Sequence, residues 1–328
     1  MKIALSILLI SILMGICSAQ TSTLEPDAHT TKSTDAAVDT SLLDFYRQYS
    51  SFTDPGEYAY LYENLPDSLS ELCNLIQSQF VHPYAHLPKV RNQFPKERWN
   101  ETVRYPSVKT ILEGLVSYDS SGIMKERKIE DRLILGCRHN AILLASILKH
   151  RGIPARVRYG HATYLIPDFH TSHVICEVWN ENDQRWMLVD PSTAMVDLNR
   201  EQFDISNDAW LQMQNGETDP NLFGIPRRYN GLGSIVAKVC ADLASVLGTE
   251  YPTTRYAPML DYAFENDDQL TAEHIETLNE ISELMKSLNA DNIAKLREIY
   301  DNTPDIQITK SFDMSSKSSQ KKTGPKDN

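Results

Sequence analysis

The stretch from Cys137 to Arg151 constrains this chain more than any other. Ala141, Ile142, Leu143, Leu144, Ala145, Ile147 and Leu148 give a helix here an apolar stripe so wide that it must be buried on most sides. Gly152 and Pro154 stop it. Ile153, Ala155, Val157 and Tyr159 then alternate with Pro154, Arg156 and Arg158, the period-two pattern of a strand. Two more short strands are expected over 173–179 and 185–190, joined by the polar turn Asn180 to Gln184. A buried helix followed by such a hairpin implies an α+β fold, with the helix packed on a small antiparallel sheet.

The flanks read as helical. Helical spacing recurs over 41–50, 67–81 and 105–118, while Pro83 to Glu101 is polar, broken by prolines and expected to be loop. Beyond Pro191 the pattern is helical again over 232–247 and 271–288, and Asp291 is placed to cap a helix carrying Ile293, Leu296 and Ile299. The expected organisation is a helical N-terminal region over 41–104, a core over 105–193 and a mostly helical C-terminal region over 194–308. Residues 20–40 read as a flexible linker, and 309–328, rich in Lys and Ser, as a disordered tail.

Met1-Lys2, the apolar run Ile3 to Ile16 and the small residues Cys17-Ser18-Ala19 have the pattern of a secretory signal peptide over 1–19, cleaved after Ala19. The run is shorter than the ~20 residues of a spanning helix, so no transmembrane segment is expected after cleavage. A lipoprotein signal acylated at Cys17 is disfavoured by the large Ile16 before it. The protein is therefore expected to be exported, periplasmic or secreted. Its 44 acidic against 32 basic residues give a net charge of -12, which argues against unspecific nucleic-acid binding.

Export would permit disulfides. Cys73, Cys176 and Cys240, however, sit among apolar residues at helix or strand spacing and read as small buried hydrophobes. Cys137 does not. It follows Gly136 and opens the buried helix, where unpaired N–H groups and the dipole favour a thiolate and could hold an oxyanion. A thiolate nucleophile needs a histidine. Of His150, His161, His170 and His173, the first ends the helix, the next two bound a Pro-containing loop, and His173 opens a strand. If Trp179 faces Gln184 across the turn, His173 faces Asp190, which could orient the imidazole. Val174, Cys176 and Val178 would then share a core face with Met187 and Val189.

Other readings of these residues are blander. Cys137 and His139 with His170 and His173 lack the close Cys pair of structural zinc sites, so no metal is expected. His139 reads as a cap or packing residue, Trp186 as core packing beside the site, and Arg156 and Arg158 most simply as an exposed strand face, the alternative being a role in binding a substrate carboxylate. Glu177 reads as a support for the site or the fold.

Taken together, Gly136-Cys137 with Ala141 to Ala145, Arg151 to Arg156, His173 with Glu177-Val178, Trp186, and Val189-Asp190-Pro191 resemble the transglutaminase-like core, over residues 105–193. The stretch from Ala209-Trp210 to Leu243 is similar to C-terminal regions of some bacterial transglutaminase-like proteins. The resemblance implies a papain-like fold without metal or cofactor, with Cys137 as nucleophile, His173 as general base and acid, and Asp190 as orienting carboxylate. Position 175 departs, being Ile where many members carry an aromatic. The upstream side chain that completes the oxyanion hole has no clear match; Trp99 and Gln93 are the candidates. The expected activity is acyl transfer on amide bonds of proteins, peptides or other amide substrates, with hydrolysis favoured slightly over cross-linking. The rival class is a catalytically silent binding or scaffold module.

Overall fold

The computed structural model describes residues 40–123, 127–265 and 270–312. The segment expected to be a signal peptide, most of the expected linker and all but the first residues of the expected tail lie outside this range. The chain enters through α1 (Thr40–Arg47), α2 (Leu69–Ser78), the single turns α3 (Leu87–Val90) and α4 (Glu101–Arg104), and α5 (Val108–Tyr118). The segment expected to be loop, Pro83 to Glu101, thus carries short helical turns; prolines at the start of a turn lose no hydrogen bond there. The buried helix follows as α6 (Cys137–His150).

The sheet comes next, as β1 (Ala155–Ile166), β2 (Phe169–Asn180), β3 (Arg185–Asp190), β4 (Met195–Leu198) and β5 (Phe203–Ile205), in spatial order β4-β3-β2-β1-β5 and antiparallel throughout. After α7 (Ser206–Gln214), β6 (Phe223–Ile225) joins β2 in parallel and pairs with β7 (Tyr229–Asn230). The C-terminal part is α8 (Leu232–Val246), β8 (Arg255–Tyr256), α9 (Met259–Glu265), α10 (Ala272–Met285), α11 (Ala290–Asn302) and β9 (Lys310–Ser311), with β9 paired to β8. The unstructured tail expected from residue 309 therefore begins with a paired strand. The fold is α+β with helical N- and C-terminal parts, and the regions expected after residue 40 lie within one compact unit. No described helix is long and apolar enough to cross a membrane.

The width of the α6 stripe is explained by what covers it. Ala141 to Leu148 pack against α2, α5 and one face of the sheet, where Val157, Val174, Cys176, Val178 and Val189 lie. Burying each Leu or Ile here contributes about 1.5–3 kcal/mol. Even the polar positions of α6 are used inward: Ser146 Oγ is 2.8 Å from Tyr62 Oη, and Lys149 donates to the Gln48 carbonyl. Cys73, Cys176 and Cys240 are buried free thiols, as expected.

Three strand expectations change. β1 and β2 run to a two-residue turn at Pro167-Asp168, where Ile166 pairs with Phe169 and Asp168 takes a φ of 57°. His161 and His170 consequently lie on strands, not in a connection. The β2–β3 register also differs. Asn180 pairs with Arg185, so Trp179 faces Trp186 and Cys176 faces Val189, a slip of two residues from the expected pairing. The cause is the turn: the Asn180 side chain accepts from the N–H groups of Asn182 and Asp183, and Gln184 takes a φ of 50°, so Glu181 to Gln184 lie outside the ladder in place of Asn180 to Asp183. A slip of two preserves the face of every side chain. Val174, Cys176 and Val178 still share the core face with Met187 and Val189, and His173 and Asp190 become diagonal neighbours.

Arg156 and Arg158, expected on an exposed face, are buried. Arg156 donates to Glu177 at 2.6 Å, and Arg158 bridges Glu177 at 2.5 Å and Asp242 at 2.9 Å. Strand β5 covers β1 only at Gly160, His161 and Ala162. Along the remaining edge α8 takes its place: Asp242 accepts from the Tyr159 N–H and Ser245 donates to the Val157 carbonyl. A strand edge reaching α8 is what makes the guanidinium of Arg158 necessary and what hides it.

Candidate active site

Cys137 is the first residue of α6. The Gly136 carbonyl accepts from the His139 N–H at 3.0 Å, starting the helix and leaving the first N–H groups without intrahelical partners. Arg138 fixes this helix end, donating to the carbonyls of Glu250 and Pro106. His139 is buried beside it, a packing position.

His173 comes from β2, opposite Gly160, and Asp190 from the end of β3. His173 Nε2 lies 2.9 Å from Asp190 Oδ2. That bond holds the imidazole with Nε2 as donor and leaves Nδ1 as the ring atom that can serve the Cys137 sulfur, with which the ring interacts electrostatically. Asp190 is wholly buried and saturated: Tyr164 Oη and Thr193 Oγ1 each donate at 2.7 Å, and the Ser192 N–H at 2.8 Å. Gln77 steadies that turn by donating to the Ser192 carbonyl. The Tyr164 ring stands edge-on to His173 at 6.4 Å.

Electrostatics follow from this packing. Burial opposes the Cys137 thiolate, but the imidazoles of His173 and His82 hold its pKa well below the ordinary thiol value. Burial likewise opposes the His173 cation, yet Asp190 and the Cys137 thiolate push it up to about 10. Asp190, despite burial, is held well below the usual carboxylate range by His173, Thr193 and Tyr164. Cys73 and Cys240 are pushed up to about 12, both mainly by burial.

The structure thus brings Cys137, His173 and Asp190 together. His161 is buried against Ser234, and His170 binds Asp204 at 2.5 Å. His150 meets Tyr49, and Trp186 stacks on Arg156 at 4.1 Å. The candidates for the upstream donor lie elsewhere: Gln93 is exposed, and Trp99 donates to the Phe94 carbonyl.

A histidine that sequence reasoning missed stands there instead. Phe80 bridges Leu133 in parallel, with the Val81 N–H bonded to the Leu133 carbonyl, and this brings His82 alongside Gly136. The His82 ring helps stabilise the Cys137 thiolate, and a β-carbon built on Gly136 would lie 3.5 Å from His82 Nε2. His82 Nδ1 accepts from the N–H groups of Tyr84 and Ala85 at 3.3 and 3.2 Å. A ring nitrogen that accepts from two N–H groups carries no proton, so the ring's donor is Nε2, the atom beside Gly136. The Arg228 guanidinium lies over the Tyr84 ring at 4.4 Å, tying the loop after β6 to the loop that carries His82. A histidine before a proline, His82-Pro83, was the only signal available, and it lies so far upstream of α6 that only the long-range bridge gives it meaning.

Fold and site together define an α+β core with a cysteine at a helix start and a histidine–carboxylate pair on the adjoining strands, the general arrangement of a cysteine-protease-like fold. The family model of the transglutaminase-like superfamily matches residues 125–191, so the chain carries a transglutaminase-like core that includes Cys137, His173 and Asp190. Comparison with curated proteins and with solved structures gave no match.

Proposed function

We propose that this protein is an exported cysteine-dependent acyl-transfer enzyme that cleaves amide bonds through a thioester. The observation that carries the reading is the His173 ring, held 2.9 Å from the buried Asp190 carboxylate while it stabilises the Cys137 thiolate at the start of α6. The Cys137 thiolate attacks the amide carbonyl carbon, forming the S–C bond. The resulting oxyanion meets the Cys137 backbone N–H and His82 Nε2–H. His173 passes its Nδ1 proton to the departing nitrogen as the C–N bond breaks. Water, deprotonated by His173, then attacks the thioester carbonyl, releasing the acid and restoring the thiolate; a second amine in place of water would give a cross-link. Hydrolysis is favoured slightly over cross-linking, for an exported enzyme acting on proteins, peptides or other amides. The leader pattern of residues 1–19 supports export, with free release favoured over anchoring at Cys17. The test is a screen of peptides, with and without amine donors, comparing the natural protein with Cys137→Ala. Turnover that survives in Cys137→Ala would overturn the assignment, and the product, acid or new amide, decides the branch.

A further inference from the structure

Lys238 has no part in the reaction above, yet it is buried beside the same site. It lies on α8, one turn before Asp242, and is 7% exposed. Its ammonium stands 5.6 Å from the centre of the Tyr159 ring, and Tyr159 belongs to the core against which Cys137 packs. The negative groups whose fields reach it are Cys137 and Asp242. Asp242 is already filled: Oδ1 accepts from Arg158 Nε and the Tyr159 N–H, and Oδ2 from Arg158 Nη2 and Ser206 Oγ. Glu177 is likewise taken by Arg156 and Arg158. Among the described residues no carboxylate forms an ion pair with Lys238. Burial brings its pKa down to about 8, which still leaves a cation at neutral pH. The side chain is largely buried while its ammonium has no ion-pair partner among the described residues, and such a cation is stabilised when a ligand supplies the anion.

We infer that Lys238 forms a subsite for a carboxylate, so that the substrates are amides carrying an anionic group close to the carbonyl that Cys137 attacks. The inference rests on the acyl-transfer reading, because it takes Cys137 as the reacting centre.

Alkylation of Cys137 by iodoacetate and by neutral iodoacetamide tests it without a known substrate. In both, an S–C bond forms and iodide leaves; only iodoacetate presents a carboxylate next to the reacting carbon. Lys238→Met should lower the iodoacetate-to-iodoacetamide rate ratio at Cys137 by about fivefold or more, with the iodoacetamide rate little changed, and Lys238→Arg should restore it. A ratio unchanged in Lys238→Met, with thermal melting showing a folded protein, overturns the subsite while leaving the nucleophile intact. An iodoacetamide rate in the natural protein no faster than that of a free thiol would count instead against the acyl-transfer reading. Protection of Cys137 by Ala-Ala but not its amide assigns the site to a chain-terminal carboxylate, whereas protection by N-acetylglutamate amide but not the glutamine analogue assigns it to an acidic side chain. Equal protection by acid and amide in both pairs overturns it.

Discussion

Asp190→Asn tests the charge at the centre of the site. The residue is fully buried and accepts four hydrogen bonds, from His173, Tyr164, Thr193 and the Ser192 N–H. Asparagine keeps the shape and one oxygen but removes the charge. A hydrogen bond to a charged partner contributes about 1.5–3 kcal/mol, and about 1.36 kcal/mol corresponds to one pKa unit. His173, held at about 10 in the natural protein, should therefore titrate about one to two units lower in the variant. Nitrogen NMR of labelled histidine reads this directly. The linkage has a definite sign. A histidine whose folded pKa lies above its unfolded value of about 6.5 stabilises the protein fully below that value and ceases to do so as pH rises through the folded pKa. The variant should thus lose about 1.5–3 kcal/mol in urea melts near pH 6, and less above about pH 10, where the imidazole is neutral in both proteins. An unmoved His173 midpoint, or an equal loss of stability at both pH values, would refute the ionic coupling.

Other outcomes are expected. Iodoacetamide near pH 6.5 should label Cys137 far ahead of Cys73, Cys176 and Cys240, and peptide mapping giving similar rates at all of them would sink the thiolate assignment. His82→Phe should lower turnover about 10²–10³-fold, with His82→Gln recovering part of it; retention of full activity in His82→Phe would remove His82 from the oxyanion hole. Asp242→Asn should cost about 3–5 kcal/mol in urea denaturation, because it leaves the buried Arg156 and Arg158 to share the single carboxylate of Glu177, and a cost under about 1 kcal/mol would contradict that account. Gly160→Ala should destabilise the sheet by about 1–3 kcal/mol, since the new methyl would meet the Asp204 carbonyl and the Phe203 ring; thermal melting checks this.

What could be read in advance follows from the range of the interactions involved. The limits of β3, Arg185 to Asp190, and the start of α6 at Cys137 are set by local periodicity and punctuation, and both stand where the sequence puts them. The faces of the hairpin were legible because alternation survives a slip of two; the pairing itself was not, because it hangs on the Asn180 side chain and the backbone at Gln184. Arg156 and Arg158 look like a solvated face to any local reading. Their burial depends on Asp242, far along the chain, and on a helix filling the place of a strand. His82 was hidden for the same reason: it reaches Cys137 only through the Phe80–Leu133 bridge.

The way α8 closes the sheet has a consequence for anyone who would cut this protein down. Residues 125–191 hold the matched segment and Cys137, His173 and Asp190, and so look like a portable module. Excised, that module would present the backbone of Val157 and Tyr159 along a bare, apolar margin and leave Arg158 without Asp242. Such a margin invites stacking between copies. The minimal autonomous fragment must therefore extend at least through Val246, and a fragment ending near residue 193 should be recovered as aggregate, unless α8 is supplied as a separate peptide that zips back along the open strand.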